Sequence, residues 1–263
     1  MDLGLKGKRA LVMGASKGLG RSIADALAAE GASVVISGRE QASLDKVAAE
    51  LKALGALAAF GVVADVAKGE QMDALAEAAA QKLGGVDILV LNHGGPPPCI
   101  ASEITDAALA TWFQHIIASP IRIANKLIPE MRKRGWGRVI VVGSSGMQHP
   151  IPNLALSNTL RAAIWGWLKT YSGEAAADGV TMNIIAPGSI QTDRIVENAK
   201  SRAGKAGTTA EIEMAKMAEE IPAGRIGLPS EFGPTAAFLA SDKAGYITGS
   251  MIRVDGGRVR GMV

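Results

Sequence analysis

Arg9-Ala10-Leu11-Val12-Met13-Gly14-Ala15-Ser16-Lys17-Gly18-Leu19-Gly20 is the stretch on which the reading of the fold turns. Residues 9–14 are a short apolar run closed by glycine and read as a buried strand. From residue 17 to residue 30 the apolar side chains Leu19, Ile23 and Leu27 recur every four positions, the spacing of one helix face, and Gly31 stops the helix. A glycine cluster between a strand and a helix permits a tight turn and a close approach of backbone to a phosphate, which then meets the free N–H groups of the helix start. The spacing here is G-x-x-x-G-x-G rather than G-x-G-x-x-G. A purely structural turn would also use glycines, but their place between the first strand and the first helix argues for phosphate binding.

The same alternation runs outward to both ends. Strands are predicted over residues 33–37, 57–63, 86–91, 138–142, 181–185 and 251–254. Helices are predicted over 40–54, 68–83, 106–134 with a bend at Pro120, 158–178 and 230–241. Strand–helix–strand repetition implies parallel strands with helical crossovers, and strands that are apolar throughout must be covered on both faces. The expectation is one α/β domain over residues 1–263, a doubly wound Rossmann-type parallel sheet of about seven strands. A polar insert over about 192–220, most polar and glycine-containing at 198–209, is expected to be a mobile substrate lid.

Composition narrows the function. The chain has 263 residues, 48% hydrophobic and 20% charged, which fits a globular core and excludes whole-chain disorder. Aromatics are 4%, too few for a protein that stacks bases or sugars. Basic residues number 28 against 25 acidic, scattered and without a long basic block, so no nucleic-acid partner is expected. The longest weakly interrupted apolar stretch, residues 53–64, falls short of the roughly 20 residues of a membrane span. The single cysteine, Cys99, allows neither an internal disulfide nor a thiolate metal cluster, and no signal-peptide pattern opens the chain. A cytoplasmic protein without a membrane or metal partner is expected.

Beyond the glycine loop stand Ala64-Asp65-Val66, Asn92-His93-Gly94, Gly143-Ser144, Asn183 through Pro187-Gly188-Ser189-Ile190-Gln191-Thr192, Arg225-x-Gly227-x-Pro229-x-Glu231, and Tyr246-Ile-Thr-Gly249 with Val254-Asp-Gly-Gly257. In this order and at these distances the chain resembles the short-chain dehydrogenase/reductase family, in particular its 3-oxoacyl-acyl-carrier-protein reductase-like members. The resemblance implies a nicotinamide cofactor held by Gly14, Ser16, Lys17, Gly18, Leu19 and Gly20, by Asp65 and Val66 at the adenine, by Asn92 and Gly94, by Arg161, and by Pro187, Gly188, Ile190 and Thr192. It also implies a homotetramer paired through the long helices and the last strand. The apolar run Ile164-Trp165-Gly166-Trp167-Leu168 suits such an interface, although core packing would look the same.

The second strand ends Ser37-Gly38-Arg39, with no carboxylate where an NAD enzyme would bind the adenosine ribose. Arg39 offers a planar cation suited to a 2′-phosphate, and Lys17 a second one, so NADP(H) is the expected cofactor. The bland reading makes both of them solvated surface charges.

The family's catalytic positions are only partly filled. Ser144 stands at the serine that polarises the carbonyl, but the tyrosine position is Ser157 and the lysine position Arg161. Neither Tyr171 nor Tyr246 is followed by lysine four residues on, and the helix asparagine position is Ile116. A serine hydroxyl is a weak acid, and arginine stays protonated, so it can hold ribose hydroxyls or an oxyanion but does not relay protons. His93 and His149 are the candidate replacement acids, each with a satisfied loop histidine as its alternative reading, and His115 reads as packing or surface. Pro96-Pro97-Pro98-Cys99 reads as a stiff pocket wall, with Cys99 an apolar wall residue rather than a nucleophile. The leading expectation is an NADP(H)-dependent oxidoreductase acting on a small carbonyl or secondary alcohol, such as a 3-oxoacyl-type compound. A cofactor-binding non-catalytic homologue, and a lyase, dehydratase or isomerase using Ser144, Arg161 and a histidine, are the alternatives.

Overall fold

In a computed structural model, which describes residues 1–261, seven strands form one parallel sheet in the order β3-β2-β1-β4-β5-β6-β7. The strands are β1 (Arg9–Val12), β2 (Ser33–Gly38), β3 (Ala59–Val63), β4 (Ile88–Leu91), β5 (Gly137–Val142), β6 (Val180–Pro187) and β7 (Met251–Val254). The helices are α1 (Gly18–Ala29), α2 (Gln41–Leu54), α3 (Gly69–Leu83), α4 (Asp106–Phe113), α5 (Ser119–Lys133), α6 (Ala155–Ala175), α7 (Asp193–Ala206), α8 (Ala210–Glu219) and α9 (Pro229–Leu239).

Alternate residues of each strand serve opposite faces. Leu11, Leu89, Val139, Val141 and Ile184 pack with α3, α5 and α6 on one side. Val12, Val90, Ile140, Val142 and Ile185 pack with α1, α2 and α9 on the other. Both faces are therefore covered, which explains the unbroken apolar strands. β2 lies to one side of β1 and β4 to the other, so the carboxyl ends of β1 and β4 border a topological switch point, where open α/β sheets bind ligands.

One expectation about the helices changes. The predicted continuous helix over 106–134 is α4 and α5 joined by a π-helical turn, Gln114–Ala118. The break precedes Pro120, which takes an early position in α5 where its missing N–H costs nothing. The polar insert consists of α7 and α8, separated only by Gly207 to Thr209, with Gly207 left-handed at φ 65° and Thr209 capping α8 through the N–H of Ile212. It reads as polar because little of it is buried: Ala199 and Ala203, one turn apart, are the buried residues of α7. No helix among the described residues is long and apolar enough to cross a membrane.

Candidate active site

The glycine loop is shaped by steric necessity. Gly14 and Gly18 have φ of 57° and 64°, a region costly for residues with a Cβ. A Cβ on Gly20 would run into the carbonyl of Gly14 and lie 2.5 Å from Asn92 Nδ2. Asn92, buried just beyond β4, donates from Nδ2 to the carbonyls of Met13 at 3.1 Å and Gly14 at 3.0 Å. The first turn of α1 has no side-chain cap from Lys17, so its N–H groups stay open to an anion. This cradle fits a dinucleotide pyrophosphate.

The remaining cofactor positions surround it. Ser16 sits beside Gly38 at the end of β2: a Cβ on Gly38 would stand 3.5 Å from Ser16 Oγ. Arg39 is exposed at the same end and forms no ion pair among the described residues. Lys17 instead pairs with Asp193 at 3.2 Å, both largely exposed, a contact worth little in water. Asp65 accepts from the N–H of Ala67 at 3.0 Å, and its own N–H donates to Gln71 Oε1 at 2.8 Å, fixing the turn after β3 that carries Val66. Thr192 lies against Gly18, and Ile190 bridges to Gly227, placing the segment after β6 over the glycine loop. Gly188 has no room for a side chain, since a Cβ there would lie 2.7 Å from Asp255 Cα. Pro187 ends β6, and Gly94 is exposed next to His93.

Ser144 caps a one-turn 3-10 helix (Ser145–Met147), its Oγ accepting from the N–H of Gly146 at 3.1 Å. The hydroxyl proton is left to donate elsewhere. Ser157 is partly buried in the first turn of α6. Its neighbour Asn158 clamps the loop between these two serines, donating to the carbonyl of Ile151 at 3.0 Å and accepting from the N–H of Ile151 at 3.4 Å. His149 is exposed at the end of that turn.

Arg161 is 8% exposed, and its Nη1 donates to the carbonyls of Val142 at 2.9 Å and Gly143 at 3.3 Å. The arginine is thus tied through Nη1 to the end of β5, immediately before Ser144. Burial, and then the charge of Arg194, hold it down to about 10, so it remains a cation at neutral pH. His93 Nδ1 lies 2.5 Å from the carbonyl of Gly94. A carbonyl only accepts, so Nδ1 carries the proton and Nε2 is an acceptor. Burial, with the nearby Arg161 next in size, pushes His93 down to about 3, so its ring is neutral at physiological pH.

Two further residues act on this site, Arg194, which the sequence did not single out, and His115, which it read as packing or surface. Arg194, the second residue of α7, donates to the carbonyl of Pro96 at 3.3 Å and acts electrostatically on both His93 and Arg161. His115 is partly buried in the π turn, edge-on to Trp112 at 4.7 Å, and also acts on His93. After the three prolines that follow β4, Cys99 bridges to Leu154 ahead of α6.

Sheet order, switch-point glycine loop and covered faces define a Rossmann-type nucleotide-binding protein. Residues 14–258 match a family model described as enoyl-(acyl carrier protein) reductase. A dehydrogenase/reductase SDR family member 4 of Sus scrofa is 35% identical over 258 residues, 96% of this chain and 88% of that protein. A 3-oxoacyl-[acyl-carrier-protein] reductase of Haemophilus influenzae is 32% identical over 254 residues, 96% of this chain and 98% of that protein. The crystal structure of L-sorbose reductase from Gluconobacter frateurii, complexed with NADPH and L-sorbose, is 32% identical, with a TM-score of 0.95 over 100% of both chains. The chain belongs to the short-chain dehydrogenase/reductase family, a family of NAD(P)-dependent oxidoreductases.

Proposed function

We propose that this chain is an NADP(H)-dependent oxidoreductase that interconverts a small ketone and its secondary alcohol with a catalytic set altered from the family's. The observation that carries the reading is the cradle made by Gly14, Gly20 and Asn92 at the β1–β4 switch point, which leaves the backbone open to a pyrophosphate. Exposed Arg39, with no carboxylate at the end of β2, supports the 2′-phosphorylated cofactor. Gly18, Leu19 and Thr192 would face the pyrophosphate, Asp65 and Val66 the adenine, and Asn92, Gly94, Gly188 and Ile190 the nicotinamide end. When bound, the cofactor supplies or accepts the hydride at the carbonyl carbon.

Ser144 donates its free hydroxyl proton as a hydrogen bond to the carbonyl oxygen and so polarises it. Arg161, held against β5 beside Ser144, places a permanent positive charge where the alkoxide develops. Ser157, on the first turn of α6, completes the polar wall. His93 is kept neutral and offers Nε2 as an acceptor that orients a substrate hydroxyl, while His149, exposed on the Ser144 turn, is assigned to proton supply. The substrate is a small molecule in a soluble, cytoplasmic homotetramer.

Anaerobic incubation with NADPH and a panel of ketones, followed at the nicotinamide absorbance band, tests this reading. Ketone-dependent loss of absorbance is expected. Tight NADPH binding without oxidation by any ketone would instead support a non-catalytic homologue.

A further inference from the structure

The site contains positive charge that nothing among the described residues balances. Arg9, Arg21, Arg122, Arg132, Arg138 and Arg225 each have an Asp or Glu beside them. Arg161 has Arg194 instead. Among the described residues, only Nη1 of Arg161 is bonded, to two carbonyls. The one fully enclosed side-chain polar atom without a partner among the described residues is Thr181 Oγ1, so the unbonded nitrogens of Arg161 open onto the cleft. Arg194 lies with its guanidinium against Gly95, where a Cβ would stand 3.1 Å from both Nη atoms, and its one hydrogen bond is to the Pro96 carbonyl. The neighbouring acid, Asp193, turns the other way onto Lys17 at the glycine loop. The phosphate side is thereby partly neutralised, and the side facing His93 and the β4 loop is not.

A buried guanidinium, Arg161, with the exposed guanidinium of Arg194 acting on it and no counter-ion among the described residues, favours an anionic ligand. A planar fork suits a carboxylate, which it can grip with two parallel hydrogen bonds. We propose that the substrate carries a carboxylate close to its reacting carbonyl, the carboxylate held by Arg194 and the carbonyl oxygen turned to Ser144 and Arg161. The inference rests on the reductase reading above and narrows it to oxo acids and hydroxy acids.

The test compares kcat/KM at saturating NADPH for 2- and 3-oxo acids, their methyl esters, and ketones of similar size bearing a phosphate. The acids are expected to exceed their esters by about ten- to hundredfold, the effect of one charge-assisted hydrogen bond. Arg194→Gln is expected to collapse that ratio towards one, raising KM for the acids far more than for the esters; Arg194→Lys restores part of it. Esters equal to acids, phosphorylated ketones ahead of acids, or an acid preference that survives Arg194→Gln would overturn the proposal, as would an equal loss of NADPH affinity, which would assign Arg194 to the cofactor. If no compound oxidises NADPH, the reductase reading fails and the anion site is read by calorimetry. Oxo-acid binding to the NADP⁺-saturated protein that disappears in Arg194→Gln supports the site, and absence of binding in the unaltered protein overturns it.

Discussion

Asn92 Nδ2 donates to the carbonyl of Gly14 at 3.0 Å, tying the glycine loop after β1 to the end of β4. The same amide reaches Met13 O at 3.1 Å, so one side chain closes the floor of the cleft across the two strands that border the switch point. Asn92→Asp replaces that donor with a carboxylate facing two carbonyls. A loss of about 1–3 kcal/mol of stability is expected, read as a lower midpoint in urea unfolding, together with weaker NADPH binding.

Gly20→Ala tests the same floor by volume. Its methyl group would press on the Gly14 carbonyl and the Asn92 amide, both held by the sheet. Overpacking of this kind costs about 1–3 kcal/mol. A drop in Tm with at least a tenfold weaker NADPH Kd is expected, whereas Gly166→Ala, where an added methyl meets nothing within 4 Å, should leave Kd unchanged and raise Tm slightly through helix propensity.

Arg39→Asp should reverse cofactor preference. Removing the cation and adding a carboxylate at the end of β2 is expected to weaken NADPH by about ten- to hundredfold and to improve NADH, measured by fluorescence titration of each. Unchanged NADPH affinity would leave Arg39 a solvated surface charge.

How far these positions were legible depends on what kind of signal each one leaves. Strands that are apolar throughout, such as Ile88–Leu91, and glycines at helix ends, such as Gly31 and Gly55, are local signals, and the sheet follows from them. The insert over 192–220 gave no helical reading because α7 and α8 expose most of their length, so their helical period has few apolar marks beyond Ala199 and Ala203. The π turn at Gln114–Ala118 leaves no residue signature of its own. Arg194 is invisible in sequence because its role comes from contact with Gly95 and Pro96, about a hundred positions away. Arg161 was legible as a substitution at the family's lysine position, but not the direction of its guanidinium, which two main-chain carbonyls decide.

His93 should shape the acid side of the stability profile. Its pKa is pushed from 6.5 to about 3 in the folded chain, so between those values the unfolded state binds more protons and stability falls as pH drops. His93→Gln, which keeps a polar side chain of similar reach, is expected to flatten the decline of Tm between about pH 6.5 and 5. A parallel decline in both proteins would mean that the ring titrates normally.

Arg161→Ala removes a buried cation and leaves the Val142 and Gly143 carbonyls without their donor. A loss of about 1.5–3 kcal/mol is expected, appearing as a ten- to hundredfold fall in NADPH affinity or turnover. Arg161→Lys should restore little, because a single ammonium cannot hold both carbonyls and still face the cleft. Unchanged Kd and unchanged activity in both variants would remove Arg161 from the site.

The most direct measurement follows the hydride itself. The protein is incubated anaerobically with NADPH deuterated at the transferable nicotinamide position and a carbonyl substrate, and the product is analysed by mass spectrometry. The account predicts one deuterium at the carbinol carbon of the alcohol for each NADPH consumed. Product formed without deuterium, or with no NADPH consumed, would contradict it and identify a lyase or isomerase built on the same fold.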